Sequence, residues 1–136
     1  MESYRRTVNY YETDRMGITH HSNYIRWMEE ARIDFLNQLG WGYEKLEEEG
    51  IVSPVTRVEC SYRLSTTFPE EVLIDVTVEE FHGVRLKLGY VMKNTDGKTV
   101  CEARSEHCFL DSEGKLIRLE KKHPVFYRLL CDLAEE

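Results

Sequence analysis

The chain has 136 residues, 41% of them hydrophobic, with a formal net charge of −7. That length fits one domain able to bury most of its unfolded surface in a single core, and no apolar run approaches the roughly 20 residues of a membrane span. The acidic balance argues against a general nucleic-acid binder, which carries a basic face.

Met1 to Arg6 leads straight into a strand pattern, with no expectation of a signal peptide before it. Tyr4 to Tyr11 alternates, with Tyr4, Arg6, Val8 and Tyr10 on one side, and reads as a first strand. Residues 12–22 have no period and read as a loop. From Asn23 to about Leu39 the period becomes helical. Tyr24, Met28, Ala31 and Phe35 share one face, while Ile25, Trp27, Leu36 and Leu39 widen it. So wide an apolar arc predicts a helix covered on most sides. Ser22 or Asn23 is placed to cap its first turn, and Gly40 to stop it.

A short second helix spans about Tyr43 to Glu49. Strand patterns follow over Val52–Tyr62, Glu71–Phe81, Val84–Lys93 and Thr99–Leu110. Asp96-Gly97 marks one hairpin turn, since Asp-Gly tolerates positive φ. Lys115–His123 is polar, and Pro124 can open a final helix over Val125–Leu133. Strands and helices are segregated, so the class is α+β: a five-stranded antiparallel sheet curved around one long central helix. No repeat or linker divides residues 1–136, which read as a single domain.

The four cysteines (Cys60, Cys101, Cys108, Cys131) form no C-x-x-C pair and read as reduced structural thiols of a cytoplasmic protein. His20 and His21 are adjacent, but no H-E-x-x-H spacing supports a metal site. Glu29 and Arg32, three apart on the helix, are spaced to pair. Glu59 reads as solvent-facing or salt-bridged. Arg85, Lys87, Arg104 and Arg118 are the basic residues available to hold phosphates.

Chemistry concentrates where the first strand pattern meets the long helix. Asp14 is an acid in a loop, and its bland role is to cap a turn. Gly17 lets the backbone approach a ligand, and the helix start offers free N–H groups and a positive dipole end. Tyr10, Tyr11, Tyr24 and Trp27 supply apolar wall. A carboxylate beside an oxyanion-binding helix end is what acyl hydrolysis requires. His21 is placed to orient substrate or move a proton.

Thr13-Asp14, Gly17, His21, Asn23-Tyr24 and Glu29-x-Ala31-Arg32 resemble the hotdog-fold acyl-CoA thioesterases of the 4-hydroxybenzoyl-CoA thioesterase type. Tyr62, Phe68 and Phe109–Gly114 extend the resemblance along nearly the whole chain. Ser65 stands where that family usually has proline, and the turn at His82-Gly83-Val84 lacks a basic cluster that some members carry. The resemblance implies a hotdog fold, a homodimer or dimer of dimers, an acyl-CoA substrate, and no metal or redox cofactor. It makes Asp14 the nucleophile or general base, and it makes the backbone N–H at or next to His21 the group that polarises the thioester carbonyl. It sends the acyl group toward Tyr24 and Trp27, matches Tyr62 to a family tyrosine, and leaves Arg85, Arg104 and Arg118 as candidates for the CoA phosphates. Two rival expectations are hydrolysis of acyl groups on an acyl carrier protein and a non-catalytic acyl-CoA-binding module.

Overall fold

The computed structural model describes residues 1–135. In chain order these form β1 (Tyr4–Thr7), a 3-10 turn (Tyr10–Glu12), α1 (Ser22–Gln38), α2 (Tyr43–Glu48), β2 (Val55–Tyr62), β3 (Glu71–Phe81), β4 (Arg85–Lys93), β5 (Thr99–Cys108), α3 (Leu119–Lys122) and α4 (Pro124–Ala134). The five strands make one antiparallel sheet in the order β1-β3-β4-β5-β2.

Alternation gives this sheet its inner face. Val72, Ile74 and Val78 of β3, Leu86, Leu88, Tyr90 and Met92 of β4, and Cys101, Ala103, Ser105 and His107 of β5 are all buried. They meet the face of α1 that carries Tyr24, Trp27, Met28, Ala31, Phe35 and Leu36. Phe126 of α4 closes one end, stacked on Trp41 at 4.5 Å and edge-on to Phe109 at 5.9 Å. The long helix therefore lies against a curved sheet, as its apolar arc requires. The covering is less complete than the pattern suggested: Ile25 remains 45% exposed, because β2 is an edge strand with nothing beyond it.

Three boundaries differ from the sequence reading. The first strand stops at Thr7, opposite the first residue of β3. Beyond it the chain turns, because Glu12 Oε1 accepts the Asn9 N–H at 2.7 Å and the Glu12 N–H returns to the Asn9 carbonyl at 2.9 Å. The Val8 N–H still reaches the Glu70 carbonyl at 2.8 Å, and from Asn9 onward local side-chain bonding takes the place of the ladder. The last strand ends at Cys108, and Leu110 instead bridges Val52 and Leu116. The polar stretch before Pro124 contains a helical turn, α3, anchored by fully buried Leu119.

Candidate active site

The loop between the 3-10 turn and α1 is a tight hairpin. Thr13 pairs with Thr19, the Asp14 N–H donates to the Ile18 carbonyl at 2.8 Å, and the Gly17 N–H donates to the Asp14 carbonyl at 2.9 Å. Closing so short a tip requires a left-handed residue, and Gly17 supplies it at φ +79°. Asp14 Oδ1 accepts the Met16 N–H at 2.8 Å, the turn-capping role open to any loop aspartate. Its Oδ2 makes no hydrogen bond among the described residues and stays available to a ligand.

The hairpin is tied to its surroundings at two points. On one side the Thr19 N–H donates to the Thr66 carbonyl at 2.8 Å, and Thr66 Oγ1 bonds both Thr19 Oγ1 at 2.7 Å and the Tyr24 hydroxyl at 2.9 Å. On the other side Glu12 joins the hairpin base to the helix start. Its carbonyl accepts the His20 N–H at 2.8 Å and Asn23 Nδ2 at 3.0 Å. Its carboxylate, 3% exposed as a residue, accepts from Arg6 at 2.8 and 3.0 Å and from the Trp27 indole at 3.0 Å.

The helix start is not capped as its sequence suggests. His21 occupies the N-cap position, and Ser22 and Asn23 fall inside the first turn without a capping bond. The His20 ring accepts the Ser22 N–H at 3.3 Å instead. The His21 N–H donates to no partner among the described residues. An open amide at the positive end of a 17-residue helix is a site for negative charge. The His21 imidazole stacks on His20 at 4.3 Å and stands edge-on to Tyr62 at 6.2 Å.

A cleft of about 270 Å³ brings these groups together. It is lined by Asp14, Thr19, His21, Tyr24 and Tyr62, with Met16, Ile18, Arg63, Leu64 and Ser65 completing the wall. Burial, with the Cys60 hydrogen bond adding to it, pushes the Tyr62 phenol up to about 12. Burial also raises the Tyr24 phenol. Both hydroxyls therefore stay protonated at neutral pH and serve as donors. Carboxylate, open helix amide and phenolic wall around one hollow form a set suited to adding water to a carbonyl.

The other expected residues are distributed differently. Gly17 shapes the hairpin and does not line the cleft; its neighbours Met16 and Ile18 do. Trp27 is fully buried behind Tyr24, ring to ring at 4.8 Å, with its N–H spent on Glu12, so it supports the wall rather than forming it. Arg104 lies on the outer face of the sheet, paired with Glu79 at 3.0 Å. Arg118 borders a separate depression beside the His82-Gly83-Val84 turn, and Arg85 opens the strand that follows that turn. None of these three arginines reaches the cleft. Glu29 and Arg32 do not pair: Glu29 is exposed, while Arg32 is 6% exposed and turns inward to Ser53, Tyr43 and His107. Among the described residues, no group of three or more His, Cys, Asp or Glu is arranged to hold a metal ion.

Sequence reasoning passed over Glu12, Arg63 and Thr66. Only Glu12 left a signal, the Asn9-to-Glu12 spacing of a capping box. Arg63 and Thr66 enter the site by strand placement alone.

Comparison with known proteins agrees with this architecture. The thioesterase-like superfamily model matches residues 8–129. A Bacillus subtilis protein provisionally named as an acyl-CoA thioesterase, YneP, is 35% identical over 86% of this chain and 86% of its own length. Among solved structures, a Staphylococcus aureus protein described as a DHNA-CoA thioesterase superposes with a TM-score of 0.92 at 30% identity, covering 98% of this chain and 91% of that one. A Thermus thermophilus protein described as hypothetical superposes at 0.89 with 29% identity, covering 98% and 99%. The hotdog architecture expected from the sequence is therefore borne out, and this chain belongs to the thioesterase-like superfamily.

Proposed function

We propose that this protein hydrolyses acyl-CoA thioesters to a free acid and CoA. The observation that carries the proposal is the convergence of Asp14 and the open N-terminus of α1 on one cleft walled by Tyr24 and Tyr62. The names of the B. subtilis and S. aureus relatives support it. The DHNA-CoA activity in the S. aureus name favours an aromatic acyl group, in keeping with the sequence resemblance to the 4-hydroxybenzoyl-CoA type.

In this reading the thioester carbonyl carbon sits between Asp14 and His21. Asp14 takes a proton from water as the water oxygen adds to that carbon, or its free oxygen attacks the carbon directly. The negative charge that develops on the carbonyl oxygen falls to the His21 N–H at the positive end of the helix. In the water route the C–S bond then breaks and the CoA sulfur leaves with the proton that Asp14 took. In the direct route CoA leaves as thiolate, and water cleaves the resulting mixed anhydride on Asp14, freeing the acid and giving its proton to the thiolate. Tyr24 and Tyr62 shape the acyl side, and Gly17 keeps the hairpin closed. Arg63 stands at the cleft wall where a CoA phosphate would pass. Arg85, Arg104 and Arg118 serve the nucleotide only if it runs across a second subunit. Residues 1–136 act as one domain in a cytoplasmic homo-oligomer, with the exposed apolar edge of β2 (Val55, Val58, Tyr62) as the joining strand.

The test is free-thiol release from a panel of aromatic and aliphatic acyl-CoA thioesters, with matched carrier-protein thioesters alongside. Asp14→Asn is expected to lower kcat about 10²-fold or more, while the melting temperature stays close to that of the parent. Full turnover in that variant removes Asp14 from the mechanism, and binding without turnover in the parent makes the protein an acyl-binding module.

A further inference from the structure

The start of α1 spends its backbone donors from Ser22 to Tyr24. The Ser22 N–H goes to the His20 ring at 3.3 Å, the Asn23 N–H to the His20 carbonyl at 3.0 Å and the Tyr24 N–H to the His21 carbonyl at 3.2 Å. Only the His21 N–H is left open there among the described residues. An oxyanion at this helix end therefore meets one backbone donor, and its stabilisation depends on where that donor points. The direction of an N–H is set by its peptide plane, which it shares with the carbonyl of the residue before. We infer, on the thioesterase reading, that Asn23 is a positioning residue: its side-chain amide holds the His20–His21 peptide so that the His21 N–H faces the Asp14 cleft.

Asn23 Nδ2 donates to the His20 carbonyl at 3.2 Å and to the Glu12 carbonyl at 3.0 Å. Both partners are carbonyl oxygens, so only the NH₂ end of the side chain can meet them, and both of its hydrogens are used. The His20 oxygen thus takes two donors, one from the Asn23 backbone and one from its side chain, and they fix the peptide plane from two directions. This peptide has a loaded acceptor and an empty donor. Hydrogen bonds in a chain polarise one another, so donors on the carbonyl strengthen the N–H of the same unit.

The second Asn23 bond reaches the other half of the site. The Glu12 carbonyl also accepts the His20 N–H at 2.8 Å, and Asp14 follows Glu12 by two residues. Asn23 therefore ties the stem that carries the carboxylate to the peptide that carries the oxyanion donor. Each of these bonds is made within one chain. An asparagine that only stabilised the junction would shift the melting temperature and leave the chemistry of the folded protein as it was.

Asn23→Ala is expected to lower kcat about ten- to hundredfold, with KM within about threefold of the parent. A misplacement of about 1 Å costs up to about 10²-fold, and loss of a whole oxyanion donor about 10²- to 10³-fold. The spectroscopic readout is the carbonyl stretch of bound benzoyl-CoA, isotope-labelled at the carbonyl and measured by infrared difference in an Asp14→Asn background. The band is expected below that of free benzoyl-CoA, because the His21 N–H draws on the oxygen. Adding Asn23→Ala returns it toward the free value. Asn23→Leu, close to asparagine in shape and without a donor, carries both measurements if the alanine variant does not fold. A kcat within about twofold of the parent, or a bound carbonyl band that Asn23→Ala leaves unmoved, overturns the inference and leaves Asn23 a structural tie. Absence of thiol release in the parent with the infrared shift intact refutes the thioesterase reading and leaves the aim of the His21 N–H standing. Absence of any bound thioester refutes both.

Discussion

Replacing Glu12 by alanine tests whether the hairpin and the helix start are held by one buried carboxylate. Glu12 receives two bonds from Arg6, one from the Trp27 indole and one from the Asn9 N–H. Its side chain is 2% exposed and that of Arg6 15%, so water replaces few of these bonds when the carboxylate goes. Breaking a buried ion pair costs about 3–5 kcal/mol, and each stranded donor adds to the loss. Arg6 retains Glu30 at 2.8 Å, which keeps its charge partnered and sets the expectation at the lower end, about 3 kcal/mol. An unfolding entropy of about 2.1 cal/mol/K per residue makes this a fall in Tm of roughly 10 °C for a chain of this length. Calorimetric melting of both proteins measures it. A fall of less than about 3 °C refutes the claim that this carboxylate clamps the two segments. Glu12→Gln preserves shape but presents an amide to donors on every side, and is expected to recover less than half of the loss.

Gly17 adopts φ +79° with nothing within 4 Å of a built Cβ, so Gly17→Ala meets backbone strain alone and is expected to cost about 1–2 kcal/mol by denaturant titration. Leu88 is fully buried on the inner face of β4, and Leu88→Ala is expected to cost about 2–5 kcal/mol in the same assay. His107 gives a pH signature. Its folded pKa is depressed from 6.5 to about 3 by burial and Arg32, so between those values the unfolded chain binds a proton that the folded chain does not. Stability therefore falls as pH drops through that window, by at most about 1.4 kcal/mol per pH unit from this residue. His107→Gln is expected to flatten the slope between pH 6 and pH 4; an unchanged slope assigns it to other groups.

The amino-acid order alone determined the local elements. Period-two alternation marked β3 and β4, and period 3.6 marked α1 to within a residue, because each pattern reports which side of an element meets the core. It also located the Asp14–His21 junction, where one pattern gives way to the other and Gly17 must turn the chain. What surrounds that junction was settled by tertiary structure. Thr66 reaches Tyr24, and Arg63 reaches the cleft, only because β2 pairs with β5 and delivers the following loop to the start of α1. Arg104, adjacent in sequence to buried Ala103 and Ser105, points to the opposite side of the sheet, so a positive charge in the sequence says nothing of the site it serves. Arg32 looked like a surface partner for Glu29 at helical spacing, yet the curvature of the sheet brings His107, 75 positions away, within 3.2 Å and draws the guanidinium inward. Periodicity constrains neighbours along one element; which elements become neighbours depends on strand order, and that order is an outcome of burying the whole core at once.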